Sequence, residues 1–395
     1  MELRAIQTAL KEMKMDGWLL CDFHNRDPIS YRVLGLEIRK ITSRRWFYYI
    51  PDRGDPVRLA HRVEPTKLDP LPGEKVMYLT WKELHAALKQ ILGPAPKKIA
   101  MQYSPMNAIP YVSMADAGTV ELVRSFGHEV VSSADLVQLF EAVISEEGYR
   151  SHLEASRLIH AIKNEAFDLI RKALPGKTAV TEYDVQQFIV KRFEEEGLDC
   201  GGDYPIVGIN GHPANPHFEP TRENALPIRK GDTVLIDLWA KLKKPGSIYA
   251  DITWCGFCGN RPPEEYVRIF GVVRDARDAA VRFVREKFER REPCFGWEVD
   301  EACREVVRKS GYGPKFIHRT GHSIGETVHG NGVHIDNLET REERRVIPGI
   351  CFSVEPGIYL EDRMAVRTEV DVFVTLKGEV VVAGEEQENL ILLET

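Results

Sequence analysis

The sequence predicts an α+β protein with an N-terminal α/β domain over residues 1–145 and a second domain over residues 146–395. Residues 1–145 alternate helical and strand-like patterns, and long amphipathic helices begin near residue 146. In the second domain these helices alternate with pairs of strand-like runs that flank turn-forming residues. We therefore expect a curved, mostly antiparallel sheet there, with helices on its outer side.

The predicted elements follow in chain order. In the first domain, residues 1–13 and 81–92 have the spacing of amphipathic helices, and residues 16–23 and 44–52 are strand-like. In the second domain, the helical patterns cover residues 145–174, 181–197, 267–291 and 296–313. The helix at 181–197 has Thr181 as a possible N-cap, Asp184 near N3 and Gly197 at its end.

The composition excludes several classes of protein. With 395 residues and 43% hydrophobic content, the chain is large enough for two domains with buried cores. The net charge of −7 argues against nonspecific nucleic-acid binding, which requires clustered basic charge. Residues 1–20 are interrupted by charges, unlike a signal peptide, and no stretch has the length of a bilayer span. We therefore expect a cytoplasmic protein.

The seven cysteines are dispersed and do not form a disulfide framework. Cys255 and Cys258 form a CxxC motif, but it follows a strand and has no second CxxC with which to bind zinc. We expect no redox or zinc function from it.

Two pairs of carboxylates interrupt apolar runs of the second domain. Asp237 and Asp251 are equidistant from Lys244, which lies in the turn-forming segment 243–246. Folding the chain on that turn makes the two aspartates cross-strand neighbours. A single aspartate in a strand is more often an edge or turn residue, so the spacing of the whole set is what indicates a site.

The second pair has the same separation of fourteen residues (251 − 237 and 369 − 355), because Glu355 and Glu369 are equidistant from Asp362. Four carboxylates buried together cannot all stay ionised unless cations compensate them. Two divalent ions have the matching charge, and an oxygen-rich site with one imidazole suits Mn, Co, Fe or Zn. With His322, the set predicts a dinuclear metal centre.

Residues 146–395 resemble the catalytic domain of the methionine aminopeptidase and prolidase family, the pita-bread metallopeptidases. The resemblance lies in ordered motifs at residues 216–240, 249–253, 320–329, 348–359 and 366–374. It implies that Asp237 is a bidentate ligand of one metal and that His322 and Glu355 bind the other. It also implies that Asp251 and Glu369 bridge the two metals.

The resemblance further assigns residues that act on the substrate. His217 and His329 match family histidines that hydrogen-bond the substrate and the tetrahedral intermediate, and Arg367 matches a supporting arginine. Glu355, at the metal edge, would accept and return a proton. Two metals would lower the pKa of a shared water and polarise the scissile carbonyl. His212, His318 and His334 stay open between a role in the site and a role in a loop or core.

Three positions depart from the family pattern and bear on substrate fit. Trp239 stands where a small residue is usual, Trp254 stands where an arginine is frequent, and His329 is followed by Gly330 instead of a glutamate. Two tryptophans next to the metal strands suggest apolar pocket walls, although both residues could face the core.

The N-terminal domain resembles, more weakly, that of creatinases and prolidases, and the spacing in residues 357–369 resembles the proline-peptidase branch. We predict an Xaa-Pro dipeptidase, with an Xaa-Pro aminopeptidase as the alternative. A dipeptidase needs a cation for the substrate carboxylate, and Arg341, Arg344 and Arg345 are candidates by position. The resemblance also implies a homodimer that contains two divalent ions, with manganese preferred to Co, Zn or Fe.

Other classes of protein remain as alternatives. A non-catalytic, protein-binding relative would have lost metal ligands, and a creatinase-like hydrolase works without metal. All five ligand positions are intact here, which counts against both. Hydrolysis of phosphotriesters is a further alternative within the metalloenzyme class, since the same chemistry applies at phosphorus.

Overall fold

The computed structural model describes residues 2–176 and 180–394. The chain divides between Ala142 and Val143 into two compact units. No helix in the described ranges is long and apolar enough to cross a membrane.

The N-terminal unit is built around a mixed six-stranded sheet. Its helices are α1 (Leu3–Glu12), α2 (Pro28–Leu34), α3 (Trp81–Leu92), α4 (Ala117–Ser125) and α5 (Ala134–Val137). Its strands are β1 (Gly17–Asp22), β2 (Trp46–Pro51), β3 (Val57–His61), β4 (Glu74–Tyr78), β5 (Lys98–Met101) and β6 (Glu129–Ser132). The strand order is β4-β3-β2-β1-β5-β6. The β3–β4, β1–β5 and β5–β6 pairs are parallel.

Both faces of this sheet are covered, which explains the continuous apolar runs of β1 and β2. Trp18 and Leu20 belong to the apolar cluster on one face. Leu19, between them, belongs to the cluster on the other face. Successive side chains of a strand point to opposite faces, so a strand buried on both sides is apolar throughout.

The C-terminal unit contains long helices and mostly antiparallel strands. The helices are α6 (Glu146–Ala173), α7 (Glu182–Glu195), α8 (Glu264–Glu289) and α9 (Gly296–Lys309). The strands are β7 (Leu198–Asp199), β8 (Ile206–Ile209), β9 (Thr233–Leu242), β10 (Ala250–Phe257), β11 (Ser323–Ile324), β12 (Cys351–Val354), β13 (Gly357–Leu360), β14 (Met364–Arg367), β15 (Val370–Val374), β16 (Val380–Ala383) and β17 (Ile391–Leu392).

Local chemistry sets the start of α7 as the sequence predicts. The Thr181 hydroxyl accepts from the Asp184 N–H at 3.1 Å, and an Asp184 carboxylate oxygen accepts from the Thr181 N–H at 2.9 Å. These reciprocal bonds form a capping box, which satisfies two N–H groups that the helix leaves unpaired.

The strands of this unit form two main sheets and a hairpin. One sheet has the order β17-β10-β9-β7, with β8 also paired to β9, and the other has the order β11-β12-β15-β16. Strands β13 and β14 form the hairpin. The β10–β17 pair is parallel, and the other strand pairs described in this unit are antiparallel. The predicted fold class is confirmed.

The first hairpin differs from the prediction by a small shift of register. Asp237 pairs with Thr253, and Asp251 pairs with Trp239, so the pairing is centred on Pro245 and not on Lys244. Moving the centre by one residue moves each partner by two, which keeps both aspartates on one face but makes them diagonal neighbours.

The second hairpin has the predicted register. Gly357 pairs with Arg367, which centres the hairpin on Asp362, and Asp362 adopts a positive φ of 56°. The same register continues in β12 and β15, where Val354 pairs with Val370. Glu355 directly follows Val354 and Glu369 directly precedes Val370, so the two glutamates lie at the same end of this ladder.

Outer helices determine which face of the first sheet is free for chemistry. Ile236 and Leu238 of β9 pack in an apolar cluster with residues of α6 and α7. Since side chains alternate along a strand, Asp237 and Trp239 point to the opposite face. Thr253 pairs directly with Asp237, so its side chain lies on that face too, where its hydroxyl donates to Glu369 next to the second sheet at 2.7 Å.

The N-terminal unit allows a test of stability against pH. Asp27 caps α2, is 3% exposed and accepts hydrogen bonds from the Ser30 N–H and hydroxyl. Burial raises the pKa of Asp27 to about 6. The folded pKa therefore lies above the unfolded value, so this group's contribution to stability is lost as pH rises from about 4 through 6.

We predict that the difference in the free energy of unfolding between Asp27→Asn and the parent protein changes by roughly 1 kcal/mol in favour of the variant from pH 5 to pH 7.5, because asparagine never becomes charged. Urea denaturation at both pH values measures the difference. Asp116→Asn is the control, since Asp116 caps α4 with equivalent bonds but is exposed. An equal gain at both pH values for Asp27→Asn would contradict the prediction.

Candidate metal centre

The five predicted ligands come from separate elements of the C-terminal unit. Asp237 lies in β9 and Asp251 in β10, while His322 directly precedes β11. Glu355 directly follows β12, and Glu369 directly precedes β15. The two main sheets of this unit therefore supply all five side chains, and each side chain belongs to a residue in a strand or next to one.

Tight main-chain packing determines where His322 lies. Its N–H donates to the Ser353 hydroxyl at 2.9 Å, and its carbonyl accepts from the Ser353 N–H at 2.9 Å. A Cβ on the preceding residue, Gly321, would lie 1.8 Å from the Ser353 carbonyl oxygen. Glycine is therefore required at position 321 for the two chains to approach this closely.

The imidazole of His322 faces two carboxylates. Its Nε2 lies 3.6 Å from an Asp251 oxygen and 3.4 Å from a Glu355 oxygen. Its Nδ1 lies 3.2 Å from the Ser323 carbonyl, which can only accept, so Nδ1 is the protonated nitrogen. Burial lowers the pKa of His322 to about 3, with a smaller effect of the charge of Arg319. A neutral ring thus directs a lone pair toward two carboxylates, which is unfavourable unless a cation lies between them.

The residues present fit a divalent cation. Ligand atoms of Asp251, His322 and Glu369 all lie within 4.8 Å of one another, and all three residues are buried. Oδ1 of Asp251 has no hydrogen-bond partner among the described residues, although it is shielded from solvent. Such a buried, unpaired acceptor is rare, and a bound ion is one of its accepted explanations.

Crowding of like charges affects all four carboxylates. Burial raises the pKa values of Asp251 and Glu369 well above their ordinary values, and neighbouring carboxylates raise them further. Burial also raises the pKa values of Asp237 and Glu355, although the charge of Arg367 opposes that shift. Protons therefore bind at this site more readily than elsewhere, and a metal ion would replace them.

Arg367 connects the two hairpins within the site. Its guanidinium donates to the Asp237 carboxylate, to the Thr253 hydroxyl at 3.1 Å and to the Tyr359 hydroxyl at 3.0 Å. The Thr253 hydroxyl in turn donates to Glu369 at 2.7 Å. Since the side chain of Arg367 is 4% exposed, this largely buried network fixes the positions of the Asp237 and Glu369 carboxylates.

A cavity of about 640 Å³ opens over these side chains. Its lining includes all five predicted ligands and the predicted substrate-binding residues. The lining residues outside the ligand set are Gly202, Asp203, Tyr204, Ile206, Pro216, His217, Phe218, Glu219, Trp239, His318, Arg319, Val328, His329, Glu339 and Arg367.

The histidines that the sequence left open have different positions. His318 lines the cavity, and its Nε2 accepts from the Tyr359 hydroxyl at 2.7 Å, because its Nδ1 donates to the Arg319 carbonyl. His334 is fully buried, its Nδ1 accepts from the Ser323 N–H, and it does not line the cavity. His212 also lies outside the cavity lining, where it contacts Glu182.

The two tryptophans also differ. Trp239 lines the cavity, as its place on the same face of β9 as Asp237 requires. Trp254 points to the opposite face of its sheet, where the Lys163 ammonium lies 3.3 Å from the centre of its ring. The apolar wall suggested by the sequence is therefore formed by Trp239, with Tyr204, Phe218 and Val328.

The three arginines suggested for carboxylate recognition do not line the cavity. Arg344 is 3% exposed and binds Glu342 and the Gly332 carbonyl. Arg341 lies near Glu343 at the surface, and Arg345 lies over the ring of Phe295. The position of these residues in the sequence was misleading because the segment that contains them packs against α9 and the loop before it, away from the cavity.

The two cysteines of the CxxC motif lie in the protein interior. Cys255 and Cys258 are both buried and free, and Cys255 donates to the Arg367 carbonyl. Burial raises the pKa of Cys255 to about 11, so its thiol stays protonated.

Sequence reasoning missed three residues that the structure places at the site. Thr253 shares a face with Asp251 two residues earlier, so strand alternation could have identified it. Tyr359 and Arg319 gave no comparable signal, since only the tertiary fold brings them to the cavity or to Arg367.

Comparison with known proteins gives the family. Residues 150–376 match the model of metallopeptidase family M24. The Xaa-Pro dipeptidase of Lactobacillus helveticus is 30% identical over 212 residues, which span 54% of this chain and about half, 52%, of that enzyme. The probable dipeptidase PepE of Mycobacterium tuberculosis is 27% identical over 308 residues, 78% of this chain and 74% of that protein.

The fold has a solved counterpart of similar length. The crystal structure of dipeptidase PepE from Mycobacterium ulcerans aligns with a TM-score of 0.73, covering 100% of this chain and 97% of that chain at 22% identity. This likeness supports the predicted arrangement of an N-terminal domain and a pita-bread domain. The family model matches more than half of the chain (376 − 150 + 1 = 227 of 395 residues), and the matched range contains all five predicted ligands. The chain therefore belongs to metallopeptidase family M24.

Proposed function

We propose that this metallopeptidase cleaves the peptide bond before proline and that Asp237, Asp251, His322, Glu355 and Glu369 hold two divalent ions. The observation that carries the proposal is the neutral imidazole of His322, with its Nε2 only 3.4 Å and 3.6 Å from two carboxylate oxygens. When bound, two divalent ions would lower the pKa of a water molecule and polarise the scissile carbonyl.

The donor set also supports a choice of metal. Four carboxylates and one imidazole form an oxygen-rich site, which favours Mn over a thiolate-preferring metal, with Co, Zn or Fe as alternatives. The carboxylates carry a formal charge that two divalent ions balance. A homodimer is proposed from the family resemblance alone, and analytical ultracentrifugation tests it.

Glu355 is the proposed acid and base. Its side chain is 16% exposed, compared with 6% for Asp251, so it is the more accessible of the two from the cavity that both line. Its Oε1 accepts from the Ser353 hydroxyl at 3.0 Å, which fixes the carboxylate. A group there can take a proton from the attacking water and return it to the leaving amine.

His329 and His217 are the proposed donors to the substrate. The His329 ring lies 4.3 Å from that of His322, and burial lowers the pKa of His329 to about 4. A neutral imidazole at this place donates one hydrogen bond toward the cavity without adding positive charge next to the ions. His217 lines the same cavity and lies in the segment between β8 and β9.

Arg319 supports a dipeptide as the substrate. Arg319 lines the cavity together with the five predicted ligands. Arg319 is three residues before His322, and its charge lowers the pKa of His322, although burial has the larger effect. Burial raises the pKa of Glu355, and the charges of Arg367 and, less strongly, Arg319 oppose that rise. An arginine beside the reacting centre can bind the C-terminal carboxylate that a dipeptide presents.

Peptide hydrolysis by reconstituted protein tests the function. Metal-stripped protein is supplied with Mn²⁺ and assayed with an Xaa-Pro dipeptide and an Xaa-Pro-Yaa tripeptide. We expect metal-dependent cleavage of the dipeptide only. Preferred cleavage of the tripeptide would assign the alternative, an Xaa-Pro aminopeptidase, and cleavage of neither peptide would contradict the proposed substrate class.

We predict that Arg319→Gln lowers kcat/KM for the dipeptide by roughly 10- to 100-fold, which corresponds to the loss of a charged hydrogen bond. Hydrolysis of the same dipeptide with an amidated C-terminus, which lacks the carboxylate, should change by less than about 2-fold. Arg341→Gln is the matched control, because Arg341 is exposed and outside the cavity lining. Equal losses with both substrates would contradict a role in carboxylate binding.

We predict opposite effects of Asp251→Asn with and without metal. The metal-free variant should melt at a higher temperature than the metal-free parent protein, because one of four crowded carboxylates becomes neutral. Mn²⁺ at about 100 times its Kd should stabilise the parent by roughly 2.7 kcal/mol but leave the variant unchanged. Differential scanning calorimetry measures both effects.

Glu219→Gln is the control for that experiment, since Glu219 lines the cavity but is exposed. It should respond to Mn²⁺ like the parent protein. An Asp251→Asn variant that Mn²⁺ stabilises as strongly as the parent would exclude Asp251 as a ligand.

A further inference from the structure

A buried carboxylate outside the cavity holds both ends of the segment that contains His217. Glu182, the first residue of α7, is fully buried. It accepts from the Ile209 N–H at 2.8 Å, at the end of β8, and from the Leu226 N–H at 2.7 Å. Residues 210–225 lie between these two bonds. Glu182 thus closes this segment, which we call the His217 segment, into a loop.

A third bond reaches the interior of the His217 segment. His212 Nδ1 lies 2.8 Å and 2.9 Å from the two carboxylate oxygens of Glu182, so Nδ1 donates. The His212 ring packs against the Phe218 ring, with a centroid distance of 4.3 Å and an angle of 34°. Phe218 directly follows His217, and both line the cavity. A continuous set of contacts therefore runs from Glu182 through His212 and Phe218 to the site.

Asn210, at the start of the His217 segment, also bonds Asp232 and Thr233, but little regular structure supports the rest of the segment. It contains one short turn of 3-10 helix, His212–Ala214, and no strand. The His217 N–H donates to the Asn215 side chain within the segment. Because a loop without strand pairing has few conformational restraints, contacts to a buried group have a large influence on its position.

We propose that Glu182 and His212 are positioning residues that hold His217 at the cavity. Burial raises the pKa of Glu182, while its hydrogen bonds to Leu226, Ile209 and His212 oppose that rise and favour the carboxylate form. Burial of this carboxylate is unfavourable, and its hydrogen bonds to three residues within or next to the His217 segment offset that cost. The proposal rests on the proposed function in one respect, the role of His217 as a donor to the substrate.

Kinetic coupling to His217 tests the proposal. His212→Ala removes the bond to Glu182, and His212→Asn keeps an amide donor near the position of Nδ1. Displacement of a catalytic group by about 1 Å can cost up to 100-fold in rate. We expect His212→Ala to lower kcat by about 10-fold with little change in KM, and His212→Asn to restore most of that loss.

The double variant His212→Ala/His217→Ala decides whether the effect passes through His217. If it does, the double variant should be no slower than His217→Ala alone, within about 2-fold. The same fold-loss in both backgrounds would overturn the proposal. Glu223→Gln is the control, since Glu223 is an exposed carboxylate of the same segment, and it should retain the parent kcat.

Amide hydrogen exchange separates failure of this proposal from failure of the proposed function. Exchange of peptides that cover residues 213–219 should accelerate at least about 10-fold in His212→Ala and stay unchanged in Glu223→Gln, whatever the substrate is. Unchanged exchange in His212→Ala would overturn the proposal even in an active enzyme. Accelerated exchange in a protein that cleaves no Xaa-Pro peptide would support the positioning role of His212 and contradict the proposed substrate.

Discussion

Compensation of buried negative charge is the constraint on which the C-terminal unit depends. Asp237, Asp251, Glu355 and Glu369 lie under one cavity, and burial raises the pKa of each. Arg367 offsets part of this charge by its contact with Asp237. The remainder needs protons or metal ions, since an uncompensated carboxylate in a dry environment is too costly. A site of this kind is thus stable only when its carboxylates are protonated or bind metal ions, and only the metal-bound form can polarise a carbonyl.

The two hairpins bring the charges together with little freedom to separate. The Asp251 N–H donates to an Asp371 oxygen at 2.8 Å, and the Glu369 N–H donates to the Thr253 carbonyl at 3.1 Å. These bonds join β10 to the second sheet at the ligands themselves. Outer helices cover the opposite faces with apolar clusters, so neither sheet can turn its carboxylates toward solvent without exposing its core. The packing energy of the whole unit therefore offsets the cost of burying the carboxylates together. Their fixed positions preorganise the site for catalysis.

The sequence predicted most of what depends on periodicity and local chemistry. The capping box at Thr181 and the hairpin centred on Asp362 follow from residue types at fixed spacing. The predicted register of the first hairpin was wrong by one residue at its centre. The length of a turn decides the pairing of the strands, and the sequence is equally compatible with a turn centred on Lys244 and one centred on Pro245. Arg319 and the anchoring role of His212 were missed for another reason. Their contacts join distant segments, and no local pattern encodes such contacts.

A direct count of bound metal tests whether the buried carboxylates are compensated by divalent ions. Metal-stripped protein is dialysed against Mn²⁺, freed of excess ion and measured by inductively coupled plasma mass spectrometry, beside the Glu369→Gln variant. We predict two ions per chain in the parent protein and fewer in the variant. A parent protein that retains no divalent ion, with all four carboxylates intact, would contradict the view that charge compensation by metal determines this site.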